Sequence, residues 1–196
     1  MKILIIVDPQ YDFLDENGSL YVKNDHLTES ISDYAIYHKD FDRVFITMDS
    51  HPINHCSFIQ FGGQFPTHCV EGSLGASYDN NILSIIDHYR DKYTIISKGG
   101  WAHQEEFGAF GSTHTISLFK LLLLSNKEEH SIEVCGVAGD YCVKETISNL
   151  LNNFKGIISN EDIYVLEDLV VSIDDGTTLK EFIREKGIQV INELRS

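Results

Sequence analysis

Six short apolar runs, rich in β-branched residues, recur along the 196-residue chain. They are Ile3 to Val7, Val44 to Met48, Tyr93 to Ser97, Ile132 to Val134, Ile163 to Leu166 and Ile188 to Ile191. Continuous apolar runs of this length suit strands buried on both faces. Helix-like stretches separate them at about 26–38, 78–89, 113–125, 140–153 and 176–185. Strands alternating with helices form βαβ units on a parallel sheet, which is an α/β fold. Right-handed crossovers then bring the carboxyl end of every strand to one edge. Residues far apart in sequence meet there, and open α/β sheets bind ligands there. The length and the 42% hydrophobic content suit one domain over 1–196.

The strand ends carry the residue types that do chemistry. The first run ends in Asp8-Pro9-Gln10-Tyr11-Asp12-Phe13, two carboxylates and an aromatic beside a turn. Alone, that segment also suits a solvated loop. The second run ends in Asp49-Ser50-His51. In extended backbone, residues i and i+2 point the same way, so Asp49 and His51 aim at one point. A carboxylate with an imidazole suits zinc, manganese or iron(II). The same pair would serve equally as a surface acid and a hydrogen-bonded histidine. The loop 65–72 supplies His68 as a further donor, and His55 either joins these three or braces the loop.

The third run ends at Lys98, followed by Gly99-Gly100. This lysine is either a solvated end charge or a cation of a site. The glycines allow a sharp turn beside it, and 102–112 reads as a loop over a pocket. After the fourth run comes Gly136-Val137-Ala138-Gly139-Asp140-Tyr141-Cys142-Val143. Ala138 and Gly139 make a turn, and Asp140 reads as a helix N-cap. Val143, Ile147, Leu150, Leu151 and Phe154 form one helical face. Cys142 then lies in the first helical turn, where free N–H groups and the helix dipole stabilise a thiolate. A lone cysteine in such a place is more often a small buried hydrophobe, so partners elsewhere must decide. Glu167-Asp168 marks the end of the fifth run and reads as surface or loop-bracing acids.

The formal charge of −15 argues against nucleic acid and anionic membranes as partners. The N-terminal apolar run is far shorter than a signal or membrane segment. None of the spacings among Cys56, Cys69, Cys135 and Cys142 forms a CxxC. Reduced thiols in a cytoplasmic protein are the expectation.

Taken in order, these segments resemble the nicotinamidases, in the isochorismatase-like family of cysteine hydrolases. The matching elements are Asp8-x-Gln10-x-Asp12-Phe13, Asp49-x-His51-Pro52-x-Asn54-His55, Phe65-Pro66-x-His68-Cys69-Val70-x-Gly72, Lys98-Gly99 and Gly136-Val137-Ala138-x-Asp140-x-Cys142-Val143. The resemblance implies a three-layer α/β/α fold with a six-stranded parallel sheet. It implies a catalytic triad of Asp8, Lys98 and Cys142, and an oxyanion hole from the N–H groups of Ala138 and Cys142. It assigns Asp49, His51 and His68, with His55 as an additional candidate, to one divalent metal: zinc first, with manganese or iron as substitutes. Phe13 and Phe65 become the walls for a pyridine ring, and the Val137–Ala138 peptide becomes cis. The implied reaction converts nicotinamide to nicotinic acid and ammonia through a thioester. The implied partners are a small-molecule substrate and, if it oligomerises, further copies of the chain. The competing readings are an amidase for another small amide and a non-catalytic binding module of the same fold.

Overall fold

The computed structural model describes residues 1–126 and 129–192. Its six strands are β1 (Lys2–Val7), β2 (Arg43–Asp49), β3 (Tyr93–Lys98), β4 (Ser131–Val137), β5 (Ile163–Val171) and β6 (Gln189–Ile191). They form one sheet in the order β3-β2-β1-β4-β5-β6, with every pairing parallel. The helices are α1 (Tyr11–Leu14), α2 (Leu27–Asp33), α3 (Asn80–His88), α4 (Thr113–Ser125), α5 (Lys144–Asn153) and α6 (Thr177–Lys186). A π turn at Tyr34–His38 prolongs α2, and another at Gly139–Val143 leads into α5.

Side chains alternate across a strand, and β1 shows what that does here. Ile3, Ile5 and Val7 enter a core with Phe119 and Leu123 of α4, Ile147 and Leu150 of α5, and Leu179 and Ile183 of α6. Leu4 and Ile6 enter the opposite core with Leu27 and Ile31 of α2 and Ile82 and Ile85 of α3. Both faces of the sheet are therefore covered, which is why the strand sequences read as continuous apolar runs. Asp79 and Ser112 cap α3 and α4 by accepting the N–H groups of Ile82 and Thr115.

Two segments differ from the sequence expectation. Strand β5 continues to Val171, so Glu167 and Asp168 lie inside it rather than at its end. Its register with β4 shifts between Val134 and Gly136, and the strand resumes pairing at Val170. The helix Tyr11–Leu14 was not expected, because four residues are too few to show a period. No described helix is long and apolar enough to cross a membrane.

Candidate active site

The strand order sets the carboxyl ends of β3, β2, β1 and β4 side by side. They bring together Lys98 and Asp49 at the ends of their strands, Asp8 just past β1, and Cys142 on the turn after β4. Lys98 is almost wholly buried. Its Nζ lies 2.7 Å from Asp8 Oδ2, 2.5 Å from Asp49 Oδ1 and 3.6 Å from Cys142 Sγ. Asp8 Oδ1 accepts a 2.5 Å hydrogen bond from Thr47 Oγ1. The Asp8 Oδ2 contact is ionic, and its angles leave that oxygen without a directed hydrogen bond. A lone pair therefore remains on the buried carboxylate, where it can accept a proton.

Burial pushes the Asp8 carboxyl up to about 6, against the pull of Lys98. Burial acts on Asp49 too, but Lys98 and His51 outweigh it and hold this carboxylate below its usual range. The two carboxylates in turn keep Lys98 a cation despite its burial. Burial also raises the Cys142 thiol well above its ordinary value, although Lys98 opposes the shift. This opposes the thiolate stabilisation expected from the helical turn. Burial thus favours the thiol form, and Asp8 is the neighbouring group that can take its proton. Asp8, Asp49 and Cys142 offer atoms within 4.8 Å of one another.

Removing the cation should be severe. Lys98→Met leaves two buried carboxylates facing each other, and breaking a buried pair costs about 3–5 kcal/mol. Urea unfolding should show a loss of that size; a loss below about 1 kcal/mol would mean that Lys98 is not the counter-ion of both acids.

Beside this group, Asp49, His51 and His68 offer atoms that also lie within 4.8 Å of one another. His51 Nδ1 is 2.9 Å from the Gly99 carbonyl, and His68 Nδ1 is 2.7 Å from the Pro66 carbonyl. Each carbonyl can only accept, so each ring carries its proton on Nδ1 and keeps Nε2 as a donor for a metal. Carbonyl-braced imidazoles with a carboxylate are what a divalent ion requires, and three protein donors leave room for water or substrate. His55 stays outside this set. Its Nδ1 meets Ser57 Oγ at 2.7 Å, its Nε2 meets the Gln104 carbonyl at 3.1 Å, and its ring stacks 4.1 Å from that of His51. With both nitrogens engaged, it braces the loop.

Two supporting groups were missed in the sequence. The buried Gln10 amide donates from Nε2 to the Asp49 carbonyl at 2.8 Å, and its Oε1 accepts the Asp49 N–H at 2.7 Å. It thereby extends the β1–β2 ladder by one side chain. Asp12 accepts the N–H groups of Cys69 at 2.7 Å and Ser19 at 3.0 Å, which anchors the segment carrying His68. A local reading finds neither, because their partners lie 39 and 57 residues away.

Above these groups lies a narrow pocket of about 30 Å³. Cys142, Ala138, Asp49, His51 and His68 line it. Phe13 and Phe65 are among its walls. Phe107 and Tyr141, both missed in the sequence, complete them; the Phe65 and Tyr141 rings lie 5.6 Å apart and those of Phe107 and Tyr141 5.4 Å apart. Phe107 and Glu105 come from the loop 102–112, which does cover the pocket. The Val137–Ala138 peptide is cis. Asp140 is not an N-cap. Its carboxylate accepts the N–H groups of Ile173 and Asp174, which ties the segment after β5 to the turn that carries Cys142. A larger cavity, about 640 Å³, lies beyond β5 among Glu167, Asp174 and Lys180, and neither thiol nor imidazole lines it.

No family model matches the chain. Individual relatives do. The chain is 30% identical over 198 residues to a nicotinamidase/pyrazinamidase of Mycobacterium tuberculosis, covering 97% of this chain and 98% of that one. The fold superposes on PnC1 of L. infantum, solved in complex with nicotinate, with TM-score 0.81, 32% identity and coverage of 97% and 92%. It also superposes on a pyrazinamidase of Pyrococcus horikoshii, solved in complex with zinc, with TM-score 0.75, 28% identity and coverage of 97% and 98%. Likeness along nearly the whole of both chains matches the ordered motifs and the shared strand-end geometry: the chain belongs to the nicotinamidase/pyrazinamidase family.

Proposed function

We propose that this protein is a nicotinamidase, hydrolysing nicotinamide to nicotinic acid and ammonia through a thioester on Cys142. The observation that carries the reading is the buried Lys98 amine, in contact with Asp8, Asp49 and Cys142 at the base of an aromatic pocket. The nicotinate complex of the L. infantum relative supports a pyridine ligand. The zinc complex of the P. horikoshii relative supports a divalent ion on Asp49, His51 and His68.

Asp8 takes the thiol proton of Cys142, and Lys98 stabilises the thiolate as it forms. The thiolate attacks the carboxamide carbon between the aromatic walls. The N–H groups of Ala138 and Cys142 hold the developing oxyanion, a contribution of about 100-fold or more per donor. Asp8 returns its proton to the leaving nitrogen, and ammonia departs. Asp8 then takes a proton from water, the resulting hydroxide opens the thioester, and Cys142 regains its proton as nicotinic acid leaves. When bound, the divalent ion supplies a Lewis acid for the pyridine nitrogen and so orients the ring. Zinc suits two imidazoles and a carboxylate, and manganese and iron(II) fit the same donors.

The test is ammonia release from nicotinamide by purified, reduced, metal-replete protein, before and after chelation. Release should fall on chelation and return with zinc or manganese. The His51→Ala variant should bind zinc at least about tenfold more weakly and show a raised KM. No release from metal-replete protein would overturn the assignment of nicotinamide as substrate. Unchanged metal content in the histidine variant would overturn the ligand set.

A further inference from the structure

Glu106 belongs to neither the Asp8–Lys98–Cys142 group nor the Asp49–His51–His68 group, yet it touches a peptide that runs between them. Its Oε2 accepts the N–H of Gly99 at 3.2 Å. That N–H lies in the peptide joining Gly99 to Lys98, whose own carbonyl accepts the N–H of Ser50 at 3.0 Å. The carbonyl of Gly99 meets His51 Nδ1 at 2.9 Å. One carboxylate on the pocket-covering loop therefore fixes the backbone between the buried cation and the first imidazole.

The surroundings leave this arrangement little freedom. Gly99 has φ +69, and a Cβ there would press against the His51 ring, so the His51 contact requires glycine at 99. A glycine is the residue least able to hold its own backbone in place, and an external hydrogen bond compensates. Gly111 lies across the loop, and a Cβ on it would come 2.5 Å from Glu106 Oε1. The loop itself is fastened to α5, the helix that follows Cys142. Thr146 Oγ1 accepts the Ala109 N–H at 3.1 Å, and the Asn149 and Asn153 amides donate to the carbonyls of Ala109 and Phe110 at 2.8 and 2.9 Å. Glu106 is thus carried on a stretch whose far end is anchored beside the nucleophile.

We infer that Glu106 is a positioning residue: through Gly99 it sets the orientation of His51 for metal binding and the position of Lys98 in the triad. The inference rests on reading Asp49, His51 and His68 as the metal site. It assigns the loop two tasks, since Phe107 covers the ring while Glu106 steadies the group beneath.

The test compares Glu106→Ala with Glu106→Gln, because a glutamine oxygen still accepts the Gly99 N–H. Zinc affinity is measured by competition with a chromophoric chelator, which needs no turnover, and kcat and KM for nicotinamide are measured separately. The alanine variant should bind zinc about tenfold more weakly, the lower end of losses seen for outer partners of metal ligands. The glutamine variant should stay within about threefold of the parent. Gly111→Ala, which crowds the same carboxylate, should shift zinc affinity in the same direction and serves if the alanine variant proves too unstable. Parent-like zinc affinity in both Glu106→Ala and Gly111→Ala would overturn the inference. So would a glutamine variant as impaired as the alanine one, because charge rather than the hydrogen bond would then be at work. Failure of the nicotinamide reading alone would appear as normal zinc binding by the parent without ammonia release.

Discussion

Cys142→Ala should lower kcat for nicotinamide by at least about 10⁴-fold, the scale on which removal of a hydrolase nucleophile acts. Cys142 is the only thiol lining the described pocket. Cys69 is buried, with its sulfur 3.7 Å from the Gly75 carbonyl, and Cys135 lies within β4 with its side chain in the core beside Leu4 and Ile6. Neither is placed to take over. The substitution removes one sulfur from a site walled by Phe13, Phe65, Phe107 and Tyr141, so the ring should still bind. Calorimetric binding of nicotinamide by the variant, with a thermal midpoint near that of the parent, would separate lost chemistry from lost structure. Turnover within tenfold of the parent would place the nucleophile elsewhere.

Asp8→Asn should lower kcat by about 10³–10⁴-fold, since the isosteric amide keeps the shape but accepts no proton at neutral pH. The parent adds a test of sign. Asp8 works as a base only when ionised, and burial raises its carboxyl to about 6. The ionised fraction is therefore large above pH 6 and falls as pH drops through that value. At saturating zinc, kcat/KM should decline on the acid side by about tenfold per unit below pH 6, and the residual activity of Asp8→Asn should lack this limb. A parent profile flat from pH 7 to 5 would remove Asp8 as the base.

Much of this was legible in the chain because the physics was local. Six apolar runs gave six strands, although the edge strands β3 and β6 are not buried on both faces as expected, and helix-like stretches located five of the helices. Asp8, Asp49, Lys98 and Cys142 stood out because each closes or follows a strand, and parallel topology brings strand ends together. What escaped depended on partners distant in sequence. Asp140 has the composition of an N-cap, but its acceptor capacity is used 33 residues later at Ile173. Glu167 and Asp168 looked like a strand end because two acids interrupt an apolar run, whereas the shifted pairing with β4 carries the strand past them. His55 has the spacing of a ligand, and only the positions of Ser57 and the Gln104 carbonyl show that its nitrogens are taken. The depth of Cys142 was not legible for a similar reason. The helical turn is visible in the sequence, and the depth of burial that outweighs it is not.

That burial has a bearing on the chemistry the cell presents to this protein. Oxidants and electrophilic metabolites react with thiolates that are both ionised and accessible. Both conditions are opposed at Cys142: it is only 6% exposed, and burial raises its thiol well above the ordinary value. Its reactivity is latent, released when a carbonyl carbon small and flat enough for the aromatic slot arrives beside the Asp8–Lys98 pair. The same few ångströms of protein that make the thiol a poor acid thus act as a filter on what may ever be attacked.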